Sequence, residues 1–455
     1  MRTTELQLDD YVSARTGTLW TAVAHLITGL IGAGVLSLAW AIAELGWIAG
    51  PVAILAFAGV TLISAFLLSD CYRFPDPDIG PLRLNSYSQA VKLHLGEKNH
   101  IVCGVFVYIS LIGCGIAYTI VTATCMRAIL KSNCYHREGH NATCSYGDNN
   151  NYFMLLFGLI QIFMSQIPNF HEMLWLSILA AIMSFAYSSI GIGLAVGQII
   201  ENRQIEGSLT GNPAENRGAK VWLVFQALGN IAFAYPFSSI LLEIQDTLRS
   251  PPAEKQTMKK ASTVSIFITT FFFLCCGCFG YAAFGDATPG NLLTGFGFYE
   301  PFWLIDFANV CIVLHLVGGF QVYTQPIFAA MERWLTEEYP QNNFNARFSG
   351  LKLPLLGGTV RLSPMRMYLR TIYVVIITGI SIVFPYFNEV LGVVGALGFW
   401  PLAVYFPVEM CILQKKIRVW TRPWLLLRGF SFVCLLVSLL AFVGSIHGLV
   451  GAKFG

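Results

Sequence analysis

Apolar residues gather in eleven long stretches, at about 19–41, 48–71, 100–129, 151–167, 173–200, 221–248, 261–284, 302–332, 367–385, 387–412 and 424–450. Roughly 20 mostly apolar residues, rising about 30 Å as an α-helix, suffice to cross a bilayer's hydrocarbon core. The pattern predicts an all-α polytopic membrane protein: a tail at 1–18, then one domain of eleven transmembrane helices at 19–450. Two stretches are interrupted at midspan. The first carries Gly29, Gly32 and Gly34 in GLIGAGVL, and the sixth carries Gly229, Asn230 and Pro236 in GNIAFAYPFSS. Helices 1 and 6 are therefore expected to be broken. Five spans per set is an odd number, so the second set enters the membrane from the opposite side. An inverted 5+5 repeat follows, with repeat one at about 19–200, repeat two at about 221–412, and helix 11 at about 424–450 appended. The glycines of the fifth members, Gly191, Gly193 and Gly197 and then Gly392, Gly395 and Gly398, read as close-packing positions.

The connections are polar and short. Residues 73–99 read as an extended entry and then an amphipathic helix carrying Tyr87, Val91 and Leu95. Residues 201–220 read as a mobile connection, and 335–366 as the longest irregular piece. The chain is 55% hydrophobic and 12% charged, far from the composition of a soluble domain. The distribution of charge orients it. With a cytosolic N-terminus, 21 of the 28 Lys and Arg fall on the cytosolic side and none lies deep in a span. That bias predicts a cytosolic N-terminus and, with eleven spans, an extracellular C-terminus. The first eighteen residues hold Glu5, Asp9 and Asp10 and no apolar core, so no cleavable signal peptide is expected. Of twelve cysteines only Cys134 and Cys144 fall in an outer loop, where a disulfide can persist. The same loop carries Asn141-Ala142-Thr143, a glycosylation acceptor. Cys275, Cys276 and Cys278 sit in an apolar helix without His or acidic neighbours and read as buried thiols, so no metal site is expected. Nothing points to nucleic acid; the surroundings are the lipid bilayer.

Several blocks carry a family likeness. RTGTLWTAVAHLITGLIGAGVLSLAWAIAELGWIAGP at 15–51 resembles the opening of plant amino acid permeases, within the amino acid/auxin permease family. FANVCIVLHLVGGFQVYTQPIF at 307–328 is similar to that family's eighth span, and SQIPNFHEMLWLSILAAIMSFAYSSIG and GNIAFAYPFSSILLEIQDTLRSPP resemble it too. The likeness runs from about Thr16 to His447, with a short N-terminal tail as the one departure. It implies a LeuT-like fold and proton-coupled uptake of amino acids at the plasma membrane.

The residues suggest how this would work. Breaking a helix bares N–H groups at one new end and C=O groups at the other, which persist in hydrocarbon only where something satisfies them. The amides of Gly32, Ala33 and Gly34 are candidates for a substrate carboxylate, favoured by the positive end of the helix dipole. Carbonyls around Ile231, Ala232 and Phe233 would meet the ammonium. Phe233 and Tyr235 are candidates for the side-chain pocket and Tyr118 for a polar contact. A merely kinked helix packed on its neighbours would use the same glycines; two such segments in inverted register favour the transporter reading.

Coupling to H+ needs a group that can gain and lose a proton. Only His25 and His315 among eight histidines lie well inside spans, and imidazole titrates near neutral pH. Asp306 is a candidate external proton acceptor or a helix cap. Glu243 and Asp246 are candidates for a cytosolic gate closed by basic loop residues. The proposed pocket carries no fixed charge, which points to neutral amino acids, with acidic ones entering protonated. A sodium-coupled carrier would want hydroxyls and carbonyls between the first and eighth spans, where Thr324 is available; auxin uptake would differ in pocket shape. No enzyme is expected. His171-Glu172 begins like a zinc motif, but Trp175 stands where HExxH needs histidine. No cofactor is expected.

Overall fold

The computed structural model describes residues 15–139, 144, 150–166, 174–214, 216–235, 237–296, 302–338, 348–353, 358–362 and 364–454. Among them, nine helical segments are long and apolar enough to cross a membrane, and Leu19–Leu30 and Asn151–Ser165 are shorter apolar helices. In chain order the helices are α1 (Leu19–Leu30), α2 (Leu38–Asp70), α3 (Tyr87–Leu95), α4 (Glu97–Glu138), α5 (Asn151–Ser165), α6 (Leu174–Asn202), α7 (Arg217–Ala234) and α8 (Ser238–Asp246). There follow α9 (Glu254–Phe284), α10 (Leu292–Gly295), α11 (Phe302–Glu338), α12 (Pro364–Val383), α13 (Phe387–Gly398), α14 (Phe406–Gln414) and α15 (Arg422–Phe454). A 3-10 turn, Ala33–Ser37, leads into α2, and a π-helical stretch, Phe399–Tyr405, joins α13 to α14.

Helices α1, α2, α7 and α9 pack together, α4, α5, α11 and α12 form a second group, and α6 lies against α1, α9 and α11. Large apolar side chains such as Phe163, Phe267 and Leu426 point outward, 68%, 77% and 74% exposed. In water such a surface would drive aggregation; hydrocarbon is its natural medium. Inside, hydroxyls such as Thr61, Thr119 and Ser381 bond the carbonyl one turn back, the usual way a lone hydroxyl is satisfied without water.

The structure alters several expectations. The connection foreseen at 42–47 shrinks to one residue: helix continues from Leu38 to Asp70 except at Gly46, with φ 85° and ψ 174°. Only glycine adopts that backbone readily. A Cβ there would overlap the carbonyl oxygen of Leu209, because the loop after α6 is strapped onto this bend. Asn212 N–H donates to Ala43 O at 2.7 Å, Trp47 N–H to Ser208 O at 3.2 Å, and Glu206 N–H to Ala282 O at 2.9 Å. The loop read as mobile is thus pinned to α2 and α9. Within 335–366, α11 runs on to Glu338, and β1 (Phe348–Leu353) pairs antiparallel with β2 (Gly358–Leu362). Short alternating runs were hidden there by Gly and Pro. In the 73–99 loop, Arg73–Phe74 pairs with Leu82–Arg83 and Tyr87 of α3 donates to Leu402 O at 2.7 Å. Gly392 and Gly395 do approach α7 closely, whereas among the described residues nothing lies within 4 Å of a Cβ built on Gly193.

Carboxylates at helix ends hold the adjoining loops. Glu254, its side chain 1% exposed, bonds Arg73 at 2.9 Å and Arg83 at 3.2 Å. Asp70 pairs with Lys259 and Lys415. Cys134 and Cys144 form a disulfide that ties the end of α4 to the following loop; Asn141 lies outside the described residues.

Two stability effects follow. Gly46→Ala should destabilise the purified protein by about 1–3 kcal/mol, read as a lower Tm in detergent, against little change for the unpacked Gly193→Ala. Glu254→Gln should cost about 1.5–3 kcal/mol, since it removes the negative charge that two guanidiniums share and turns one acceptor oxygen into an amide donor; an unchanged Tm would refute that role.

Candidate functional site at two helix breaks

At the first break α1 ends at Leu30. Ile31 N–H donates to Ile27 O at 2.8 Å and Gly32 N–H to Leu30 O at 3.1 Å. The carbonyls beyond are claimed by side chains of two other helices. Ser184 of α6 donates to Ile31 O at 2.9 Å, and Tyr187 reaches Ile31 O at 3.2 Å and Gly32 O at 3.1 Å. Tyr323 of α11 reaches Gly29 O at 3.4 Å. The amide side differs. Ala33 and Gly34 open the 3-10 turn, and first-turn amides have no carbonyl behind them. Of the three amides expected to hold a carboxylate, Gly32's is therefore spent within the chain, and those of Ala33 and Gly34 are left.

At the second break the helix does not part where Gly229 and Asn230 suggested. α7 continues to Ala234, and the interruption covers Tyr235 to Phe237, with Pro236 outside the described residues. Gly229 serves packing: a Cβ on it would lie 2.6 Å from Gly392 O. The last turn of α7 leaves the carbonyls of Ile231, Ala232 and Phe233 at its end, with Tyr235 N–H donating to Ala232 O at a long 3.5 Å.

The two breaks touch. A Cβ on Gly34 would lie 3.0 Å from Ala234 Cα and 3.3 Å from the Phe233 ring. The 3-10 turn that opens with Ala33 and Gly34, whose amides have no acceptor among the described residues, thus stands beside the carbonyl end of α7. Tyr118 lies over the first break, its hydroxyl 3.0 Å from where a Gly32 Cβ would be, and its ring meets that of Tyr323 edge-on at 5.6 Å. Phe233 and Tyr323 line a cavity of ≈ 40 Å³ together with Leu111, Cys114, Val394 and Phe399, room for about three water molecules. Its polar groups are hydroxyls, such as Ser238 and Ser239, and no charged side chain lines it. Tyr235 does not join them: it turns to α9, bonding Thr270 Oγ1 at 3.2 Å and packing on Phe273.

His315, on α11, places Nδ1 3.0 Å from Ala180 O and 3.1 Å from Ser184 Oγ, so it is joined to the first break through Ser184. His25 sits half-buried on α1, with no hydrogen-bond partner among the described residues. Asp306 accepts from Asn133 Nδ2 at 2.8 Å. It lies nine residues, about 13 Å, before His315 on α11, and half a turn round the helix from it. At the other end of the second break, Asp246 accepts from Arg15 at 2.9 Å and from the Tyr72 hydroxyl at 2.6 Å. Gly17 N–H donates to Thr247 O, and Arg249 N–H to Gly17 O, both at 3.0 Å. Glu243 is exposed and makes no ion pair among the described residues.

The sequence matches a family model, that of transmembrane amino acid transporter proteins, over residues 15–450. The chain belongs to this family. The transporter is 84% identical to probable amino acid permease 7 of Arabidopsis thaliana over 453 residues, covering 99% of this chain and 97% of that protein. It is 52% identical to amino acid permease 3 of the same plant, over 97% and 92% of the two chains. Lysine histidine transporter-like 6 is more distant, at 29% identity over 96% and 92%. Its relatives being permeases and transporters, the chain is a transport protein and not an enzyme. Among solved structures, MhsT in complex with L-phenylalanine superposes with TM-score 0.59 at 12% identity, covering 93% of this chain and 98% of that one. Mhp1, a nucleobase-cation-symport-1 family transporter, gives TM-score 0.51 at 12% identity, covering 95% and 93%. These two likenesses speak for the fold alone.

Three residues of the transporter's site escaped the sequence reading: Ser184, Tyr187 and Tyr323. The available signal was midspan hydroxyls in MSFAYSSIG and QVYTQ, opposite a helix whose carbonyls had to go somewhere. Gly34→Val should reduce uptake by roughly tenfold or more, since overpacking by about 1–3 kcal/mol would separate the two breaks. Radiolabelled uptake, normalised to protein at the membrane, checks this; wild-type rates would show that the contact is dispensable.

Proposed function

We propose that this transporter is a proton-coupled symporter that imports amino acids, chiefly neutral ones and acidic ones in protonated form, by alternating access at the plasma membrane. The observation that carries the reading is the contact of the two breaks at Gly34, which sets the 3-10 turn opened by Ala33 and Gly34 against Phe233 and Ala234 at the carbonyl end of α7. An amino acid zwitterion has a carboxylate for the first and an ammonium for the second. The names of the relatives support that substrate class. Phe233 and the apolar cavity beside it would receive the side chain, and the absence of lining charge favours uncharged ones.

Eleven crossings in a 5+5 inverted arrangement, with a cytosolic N-terminus, suit this mechanism and the distribution of basic residues. Arg15, Tyr72 and Asp246 would then close the cytosolic side. His315 and His25 are the proposed proton carriers, with Asp306 nearer the outside. Protons fit better than sodium for a specific reason: hydroxyl donors already occupy the Ile31 and Gly32 carbonyls a cation would need. Thr324 is likewise turned to its own helix, donating to Phe320 O at 2.9 Å. A neutral zwitterion moving with one proton carries one positive charge inward. Each 100 mV, negative inside, then supplies about 2.3 kcal/mol, or roughly fifty-fold accumulation.

Vesicles containing the purified protein decide the ion. Radiolabelled neutral amino acid should accumulate under an inward proton gradient and not under sodium at fixed pH. In His315→Asn, gradient-driven accumulation should fall while exchange across equilibrated membranes continues. Stimulation by sodium alone would overturn the reading.

A further inference from the structure

A continuous run of hydrogen bonds leads from His315 to the backbone of the first break. His315 Nδ1 is 3.0 Å from Ala180 O. A carbonyl oxygen only accepts, so Nδ1 carries the hydrogen and the neutral ring has its lone pair on Nε2. The same Nδ1–H is 3.1 Å from Ser184 Oγ, which accepts from the ring; the single Ser184 proton has Ala180 O and Ile31 O as acceptors, both at 2.9 Å, and with the ring already on Ala180 O the relay uses Ile31 O. Tyr187, one turn further along α6, spans Ile31 O and Gly32 O at 3.2 and 3.1 Å, and its ring stands 6.0 Å from that of His315. The two carbonyls so held belong to the peptides whose far ends are Gly32 N–H and Ala33 N–H.

We propose that Ser184 and Tyr187 are positioning residues that transmit the charge of His315 to the substrate-holding amides, so that proton and amino acid favour the same conformation. The inference rests on the proton-coupled reading given above. A proton that enters from outside and adds at Nε2 turns the ring into an imidazolium. Its Nδ1–H becomes a stronger donor, and charge-assisted bonds are shorter and roughly twice as strong as neutral ones. Ser184 Oγ, accepting more strongly, donates more strongly in turn. As Ser184 takes Ile31 O more firmly, the single Tyr187 hydroxyl proton, shared between Ile31 O and Gly32 O, shifts toward Gly32 O. Polarising the Gly32 carbonyl makes the Ala33 amide, on the same peptide, a better donor to a carboxylate. By linkage, a bound carboxylate strengthens proton binding at His315 by the same factor. When the proton leaves toward the cytosol, the chain relaxes and the carboxylate is held less firmly.

The surroundings leave little else to respond to pH. Among the described residues, the ionisable groups near the relay are Tyr187 itself on α6, Tyr118 and Cys125 on α4, Cys311 on α11 and Cys276 on α9. Phenols and thiols are uncharged in their ordinary range. Among the described residues no carboxylate, lysine or arginine acts on His315.

The test is the KM of radiolabelled alanine uptake between about pH 5 and 8, in wild type, Ser184→Ala, Tyr187→Phe and Ser184→Thr, each normalised to protein at the membrane. The wild type should lower its KM about fivefold or more on acidification, the size usual for coupling between sites. In Ser184→Ala and Tyr187→Phe that change should shrink to under about twofold, and Ser184→Thr, which keeps the hydroxyl, should restore it. A general packing defect would instead scale kcat at every pH. Tyr187→Phe keeps the ring and carries the test if Ser184→Ala fails to reach the membrane. A full acid response in Tyr187→Phe overturns the relay while leaving proton coupling intact. A wild type indifferent to pH overturns the proton-coupled reading and the relay with it.

Discussion

A peptide group removed from water must find another partner, and much of this molecule follows from that requirement. Long helices satisfy it internally. Where the first and sixth stretches stop being helical, the obligation passes to side chains, to a neighbouring peptide or to a ligand. Irregular backbone at membrane depth would leave several unpaired groups at a few kcal/mol apiece. The transporter limits that number. At the first break Ser184, Tyr187 and Tyr323 take the carbonyls and Gly32 turns its amide inward. What is left without an acceptor among the described residues is two amides, those of Ala33 and Gly34, in a turn that touches the carbonyl end of α7. The chemistry of the site is defined by this remainder more than by any catalytic side chain.

Much of the architecture was legible in the sequence because hydrophobic length is a strong signal. Gly32 and Gly34 marked the first break well, since a Cβ at Gly34 would press on Ala234 and one at Gly32 on Tyr118. Gly229 and Asn230 misled, because a glycine that lets two helices touch looks the same in sequence as one that ends a helix; the actual stop comes at Tyr235. Tyr235 itself was assigned to the pocket by proximity in sequence, yet its side chain points to Thr270. Direction at a break depends on the dihedrals of the broken residues, and no periodicity encodes those. The bend at Gly46 and the strap over it were hidden for a related reason: backbone-to-backbone pairing, as between Asn212 and Ala43, leaves almost no trace in side-chain pattern.

The functional hydroxyls were hidden differently. A serine or threonine in a membrane helix usually bonds its own preceding turn, as Thr61, Thr119 and Thr324 do. Ser184 does that too, toward Ala180 O, while also reaching Ile31 O on another helix. Sequence offers no way to tell the two uses apart. His315 was visible because an imidazole at midspan is rare, but its partners were not, and the partners decide which nitrogen carries the proton.

The ties at the two ends of the first helical stretch differ in kind from those in its middle. Near one end Gly17 is held by Thr247 and Arg249, and Arg15 by Asp246, at distances of 2.9–3.0 Å. Near the other, Ala43 and Trp47 are held by Asn212 and Ser208. Arg15 and Asp246 are a quarter or more exposed, at 25% and 28%, so water can replace their partner and opening costs about 1 kcal/mol or less. The bonds from Ser184 and Tyr187 to Ile31 are buried, and an unreplaced acceptor there costs about 1–3 kcal/mol. Parting Arg15 from Asp246 therefore meets a smaller resistance than parting the break. That ordering suits a carrier, because the groups that hold the substrate stay assembled while that end is released.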